Sequence, residues 1–145
     1  MKLTIAEVLQ RAVEAHRGGK LQDAERLYKA ILRAQPNHPD ANHNLGVLAV
    51  SVGKTLDALM MFQTALDANP EIEQFWFSYI DALLKLERLD EAARLIANAK
   101  KAGIADVKLN DFHEQLLQAR CEDQEVSSGT PSRSGEREGP PNKGE

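Results

Sequence analysis

Small and large apolar positions return along this chain at a fixed interval. Ala24, Ala58 and Ala92 lie 34 residues apart, and each closes a similar run: Gly19-Lys20-Leu21-Gln22-Asp23-Ala24, Gly53-Lys54-Thr55-Leu56-Asp57-Ala58 and Glu87-Arg88-Leu89-Asp90-Glu91-Ala92. Tyr28, Phe62 and Ile96 follow four residues later, and Ile31, Ala65 and Ala99 three after those. Pro36 and Pro70 come five further on, with Ile104 in the third copy. Upstream, Val8, Asn42 and Trp76 share a register, as do Ala12, Gly46 and Ile80. Such a period is the mark of a repeat architecture in which one supersecondary unit recurs. The pattern predicts helices near 4–18, 21–35, 39–52, 55–69, 72–87 and 89–102. A seventh, near 107–120, carries Leu109, Phe112, Leu116 and Leu117 on one side and polar residues opposite.

Local signals agree with these boundaries. Thr4-Ile5-Ala6-Glu7 has the form of a capping box, in which hydroxyl and carboxylate satisfy otherwise unpaired amides. Pro39 suits the first turn of a helix, Pro36 and Pro70 end one, and Gly103 reads as a C-terminal stop. Gly19 and Gly53 serve the tight turn inside a helix pair. The alanines sit where paired helices approach most closely, and Phe62 and its equivalents are the large knobs beside them.

These residues resemble the tetratricopeptide repeat family, over residues 5–38, 39–72 and 73–106. The middle copy fits best, through Leu45, Gly46, Ala58, Phe62, Ala65 and Pro70. Arg11 stands where the family has leucine, and Ile80 where it prefers a small residue. The resemblance implies an all-α fold: a right-handed superhelical stack of three antiparallel helix pairs, with the seventh helix as a C-terminal cap. Residues 1–120 form that domain. The stretch 121–145, with Ser127-Ser128-Gly129-Thr130-Pro131 and Gly139-Pro140-Pro141, is expected to be a disordered tail, since it has almost no apolar surface to bury.

Composition narrows the function. A formal charge of −4 offers no basic stripe for phosphates, so no nucleic-acid partner is expected. No apolar run approaches the roughly 20 residues of a membrane span, and no secretory signal opens the chain; a cytoplasmic, membrane-free protein is the expectation. The one cysteine, Cys121, excludes an internal disulfide and a cysteine-based metal cage.

In the family, the first helix of each pair lines a concave groove. The resemblance therefore assigns the groove to Leu9, Val13, His16 and Arg17, then Asp40, His43, Asn44, Val47 and Ser51, then Gln74, Phe77, Ser78, Asp81 and Lys85. That surface is apolar at Val13, Val47 and Phe77 and polar around them, which suits a peptide. Asn44 occupies the place of the asparagine ladder in related repeats, where an amide that donates and accepts at once grips a peptide backbone. Gln10 and Ser78 are its equivalents. Members that bind chaperone tails clamp a C-terminal carboxylate with cations; the matching positions here are Leu9, Val13, Asn44, Gln74 and Ser78. Only the asparagine remains, so acidic chaperone tails are expected not to bind. Trp76 and Tyr79 are expected in the core, Phe75 and Phe77 cannot both be buried with them, and Phe77 is the candidate exposed anchor.

Catalytic motifs do not survive inspection. Gly53-Lys54-Thr55 lacks the upstream glycine of a phosphate loop, with Leu48 in its place. His16, His38, His43 and His113 contain no i, i+4 pair for zinc, although His16 and His43 could meet across the groove. No carboxylate pair or nucleophile turn stands out, so neither an enzyme nor a cofactor or metal site is expected. The expected function is binding of another protein's peptide segment in the groove. The alternative is a substrate-docking module of, or truncated from, a repeat-containing glycosyl-, sulfo- or methyltransferase. A homo-oligomer through an exposed helix face is compatible with either.

Overall fold

The computed structural model describes residues 2–104 and 106–135. Its elements are α1 (Ile5–Arg17), α2 (Leu21–Ala34), α3 (Pro39–Ser51), α4 (Thr55–Ala68), α5 (Glu73–Lys85), α6 (Leu89–Lys101) and α7 (Asp106–Gly135). The described residues hold no strand.

Each start and stop has a local cause. Thr4 accepts from the Glu7 amide at 3.1 Å and its own amide donates to Glu7 Oε1 at 2.8 Å, completing the capping box. His38 caps α3: its Nδ1 accepts from the Ala41 amide at 3.1 Å, with Pro39 in the first turn. The turn within each pair is closed by one recurring bond. Lys20 N–H donates to Ala15 O (2.8 Å), Lys54 to Ala49 O (2.8 Å) and Arg88 to Leu83 O (2.9 Å). This six-to-one closure needs a left-handed residue, supplied by Gly19 (φ 79°), Gly53 (φ 85°) and, in the third pair, Glu87 (φ 59°). The loops between pairs are tied in register too. Asn42 Nδ2 donates to Pro36 O at 3.0 Å, and the equivalent Trp76 Nε1 donates to Pro70 O at 2.8 Å.

Packing follows the repeat. Ala24, Ala58 and Ala92 are fully buried where paired helices meet, and Tyr28, Phe62 and Ile96 are buried beside them. One core cluster joins α1, α2 and α3, a second joins the end of α4 to α5–α7, and Phe62 with Ala49, Ala58 and Ala82 forms a third between them. Phe62 lies against Gly46 so closely that an added Cβ would stand 2.5 Å from its Cε1. Successive helices pack in order; in addition α1 touches α3, α3 touches α5 and α5 touches α7. The odd-numbered helices therefore line one side of the stack, the expected right-handed solenoid.

The last helix differs from expectation in two ways. Its buried residues are Leu109, Phe112 and Leu116, while Leu117 is 47% exposed. Spacings of three and four keep a side chain on one face, whereas the next residue turns about 100° away. The helix also continues to Gly135 rather than ending near 120. Extending an existing helix adds one bond per residue fixed, at far lower cost than starting one. Residues 136–145, the rest of the expected tail, lie outside the described residues.

Candidate functional site

α1, α3 and α5 place their outward side chains on a shared face. Val13 is half-buried and Val47 is 36% exposed, giving it an apolar middle. Arg17, Asp40, Ser51, Gln74 and Lys85 are exposed; Leu9, His16, Asn44, Phe77, Ser78 and Asp81 are half-buried. The charges are partly matched, since Lys85 Nζ lies 3.1 Å from Asp81 on the next turn. The Ser51 hydroxyl donates to Leu48 O at 2.6 Å.

His43 is 8% exposed and belongs to the groove's floor rather than its open surface. Its Nε2 lies 2.8 Å from Ser78 Oγ on α5, and its Nδ1 lies 3.3 Å from Asn44 Oδ1. Rings flank it: Phe75 at 4.9 Å and Phe62 at 5.7 Å between centroids. Burial lowers its pKa below the ordinary 6.5; hydrogen bonding from Asn44 and the charge of Asp40 oppose that and are weaker. The Tyr28 hydroxyl lies 3.3 Å from His16 Nδ1. Burial raises the Tyr28 pKa. His16 thus pairs with Tyr28 of α2, and His43 with Asn44 and with Ser78 of α5. Among the described residues no group of three metal-ligating side chains comes together.

The Asn44 amide is partly engaged. A side-chain amide has two donor hydrogens and two acceptor lone pairs. Among the described residues His43 is its one hydrogen-bond partner, at one acceptor position, which leaves an acceptor and the amide hydrogens for the groove.

Phe77 is not the exposed anchor that its sequence position promised. It is half-buried, packs on the α5–α7 core, and its ring centroid lies 6.0 Å from that of Phe112 on α7. The seventh helix thus packs against α5 beside Phe77. Trp76 is buried as expected; Tyr79 is half-buried, its hydroxyl donating to Gln63 Oε1 at 2.8 Å at the edge. Tyr28 is the contributor that sequence reasoning missed. It sits at the core position shared with Phe62 and Ile96, and only its hydroxyl, absent from those two, distinguished it.

The family model for the tetratricopeptide repeat matches residues 9–59 and 43–107. Among solved structures, the chain is similar to a tetratricopeptide repeat protein from Parabacteroides merdae (TM-score 0.75, 21% identity), covering 89% of this chain and 53% of that one. The chain thus spans about half the length of that relative. It also resembles the first repeat domain of Spaghetti (RPAP3) bound to the HSP90 peptide SRMEEVD (TM-score 0.72, 16% identity, 81% of this chain and 93% of that one). A third is the Yersinia enterocolitica type III secretion chaperone SycD in complex with a peptide of the translocator YopD (TM-score 0.70, 16% identity, 85% and 97%). At these identities the shared property is the fold.

Proposed function

Because this chain belongs to the tetratricopeptide repeat family, we propose that it binds a peptide segment of another protein in the groove lined by α1, α3 and α5. One observation carries the reading: Asn44 is half-buried on the helix that also carries exposed Val47, with an acceptor and its amide hydrogens still available. An extended peptide offers free backbone N–H and C=O groups to such an amide, whereas the interior of a helix has used its own. Apolar side chains of the peptide meet Val13 and Val47. Two similar folds bound to peptides, from HSP90 and from YopD, support the use of this architecture for that purpose. At about 3.3 Å per residue, a groove of three helices takes roughly 5–10 extended residues.

The test is a selection from a random-peptide display library against the full chain at about pH 7.5, where His43 is neutral. Asn44→Ala is expected to weaken the selected peptide about tenfold, the worth of one or two hydrogen bonds. Val47→Asp is expected to remove binding. Peptides indifferent to both substitutions contradict the groove assignment. The acidic peptide SRMEEVD is expected to bind no better than millimolar, because no cation stands at the five positions given above.

A further inference from the structure

The polar side chains beneath the groove form a chain with one direction. Gln74 Nε2 donates to Ser78 Oγ at 3.2 Å, and Ser78 Oγ meets His43 Nε2 at 2.8 Å. His43 Nδ1 meets Asn44 Oδ1 at 3.3 Å. An amide oxygen can only accept, so His43 Nδ1 carries the hydrogen. In a neutral imidazole Nε2 is then bare and accepts from the Ser78 hydroxyl, whose oxygen accepts from Gln74. Four side chains on two helices fix one another's orientation.

We propose that His43, held as the neutral Nδ1–H imidazole, is the positioning residue that orients the Asn44 amide for the peptide, and that peptide affinity falls when His43 takes a second proton. The proposal rests on the groove reading above. Without His43, nothing on that side prevents the amide from turning over and offering a donor where the acceptor stood. Protonation makes Nε2 a donor, so the Ser78 hydroxyl can no longer donate to it and must turn away.

The groups around His43 fix the sign of the pH effect. Asp40, on the same helix, favours the cation. Tyr28 of α2 lies near Asn44 and pairs with His16 of α1; α4 contributes the Phe62 ring, and α5 contributes the Phe75 ring and Ser78. Burial outweighs Asp40. A peptide seated on Asn44 removes further solvent, so His43 holds its second proton less well in the complex than in the free chain. A base that binds fewer protons in the complex weakens binding as pH falls through its free-state value.

Nitrogen-15 NMR of the imidazole in the full chain reads the tautomer and the titration without any ligand. The expected result is a protonated Nδ1 and a bare Nε2 at neutral pH. His43→Asn, whose amide nitrogen sits near the Nδ1 position, is expected to keep the Asn44 side-chain NH2 shifts, and His43→Leu to move them. Ser78→Ala, which leaves the core untouched, is expected to mix the tautomers. With the display-selected peptide as probe, Kd is expected to rise by up to tenfold per pH unit below the measured His43 midpoint, and His43→Asn to remove that dependence. An Nε2–H tautomer, or a pH profile shared by wild type and His43→Asn, overturns the proposal. Failure of the groove reading looks different: the tautomer is as expected, and Asn44→Ala leaves the peptide bound.

Discussion

Gly46→Ala puts a single methyl group where α3 and α4 touch. The new Cβ would stand 2.5 Å from Phe62 Cε1, 2.8 Å from Cδ1 and 3.1 Å from Cζ. Carbon atoms prefer about 3.5–4.0 Å, so the ring must retreat by about 1 Å. It has little room, being 1% exposed, clustered with Ala49, Ala58 and Ala82, and flanked by the His43 ring. Overpacking of this kind costs about 1–3 kcal/mol. Alanine's better helix propensity returns about 1 kcal/mol, so the strain is expected to win by about 1 kcal/mol. For a domain near this size, 1 kcal/mol moves Tm by roughly 3–5 °C. Thermal and urea unfolding followed by far-ultraviolet circular dichroism measures it. In the double variant with Phe62→Leu the shorter side chain relieves the clash, so the two losses should fall short of adding. A Gly46→Ala chain as stable as wild type, or losses that add, would refute the close-approach argument.

Other outcomes follow from the same geometry. Glu87→Gly is expected to raise stability by about 0.5 kcal/mol, because Glu87 holds φ 59° at the turn position that Gly19 and Gly53 fill in the other pairs; unfolding midpoints in urea check it. Trp76→Phe keeps the ring but loses the donor to Pro70 O, and is expected to cost about 1 kcal/mol in the same assay. Phe112→Ala removes a side chain buried between α7 and Phe77; a loss of about 3–5 kcal/mol and faster hydrogen exchange in α7 are expected. His43 has a lowered pKa in the folded chain, so the unfolded chain binds the proton first. Its contribution to stability is therefore whole above the ordinary 6.5 and lost as pH falls from there toward the lowered folded value. The pH dependence of the urea midpoints of wild type and His43→Asn should differ within that range and run parallel above it.

The repeat was legible because its positions answer to short-range physics. Ala24, Ala58 and Ala92 are small where helices touch, glycine marks two of the three left-handed turns within the pairs, and the knobs at Tyr28, Phe62 and Ile96 are buried alike. Glu87 obeys the same backbone rule without the residue that announces it. The site was less legible. His43 and Ser78 are 35 residues apart, and their bond depends on how far α5 slides along α3. Phe77 appeared free because its partner, Phe112, belongs to a helix outside the repeat, whose crossing no periodicity specifies. The α3 face also mixed core with groove: at one helical turn's resolution, His43 and Asn44 read as equally outward, yet the first is buried and the second half-open.

Titrating the isotope-labelled full chain with the display-selected peptide, and mapping backbone and side-chain amide shifts, tests the central claim most directly. The account expects the largest changes at Val13, Asn44, Val47 and Ser78 on α1, α3 and α5, with the outward faces of α2, α4 and α6 quiet. Changes concentrated on those even-numbered helices, with Asn44 unmoved, would contradict it.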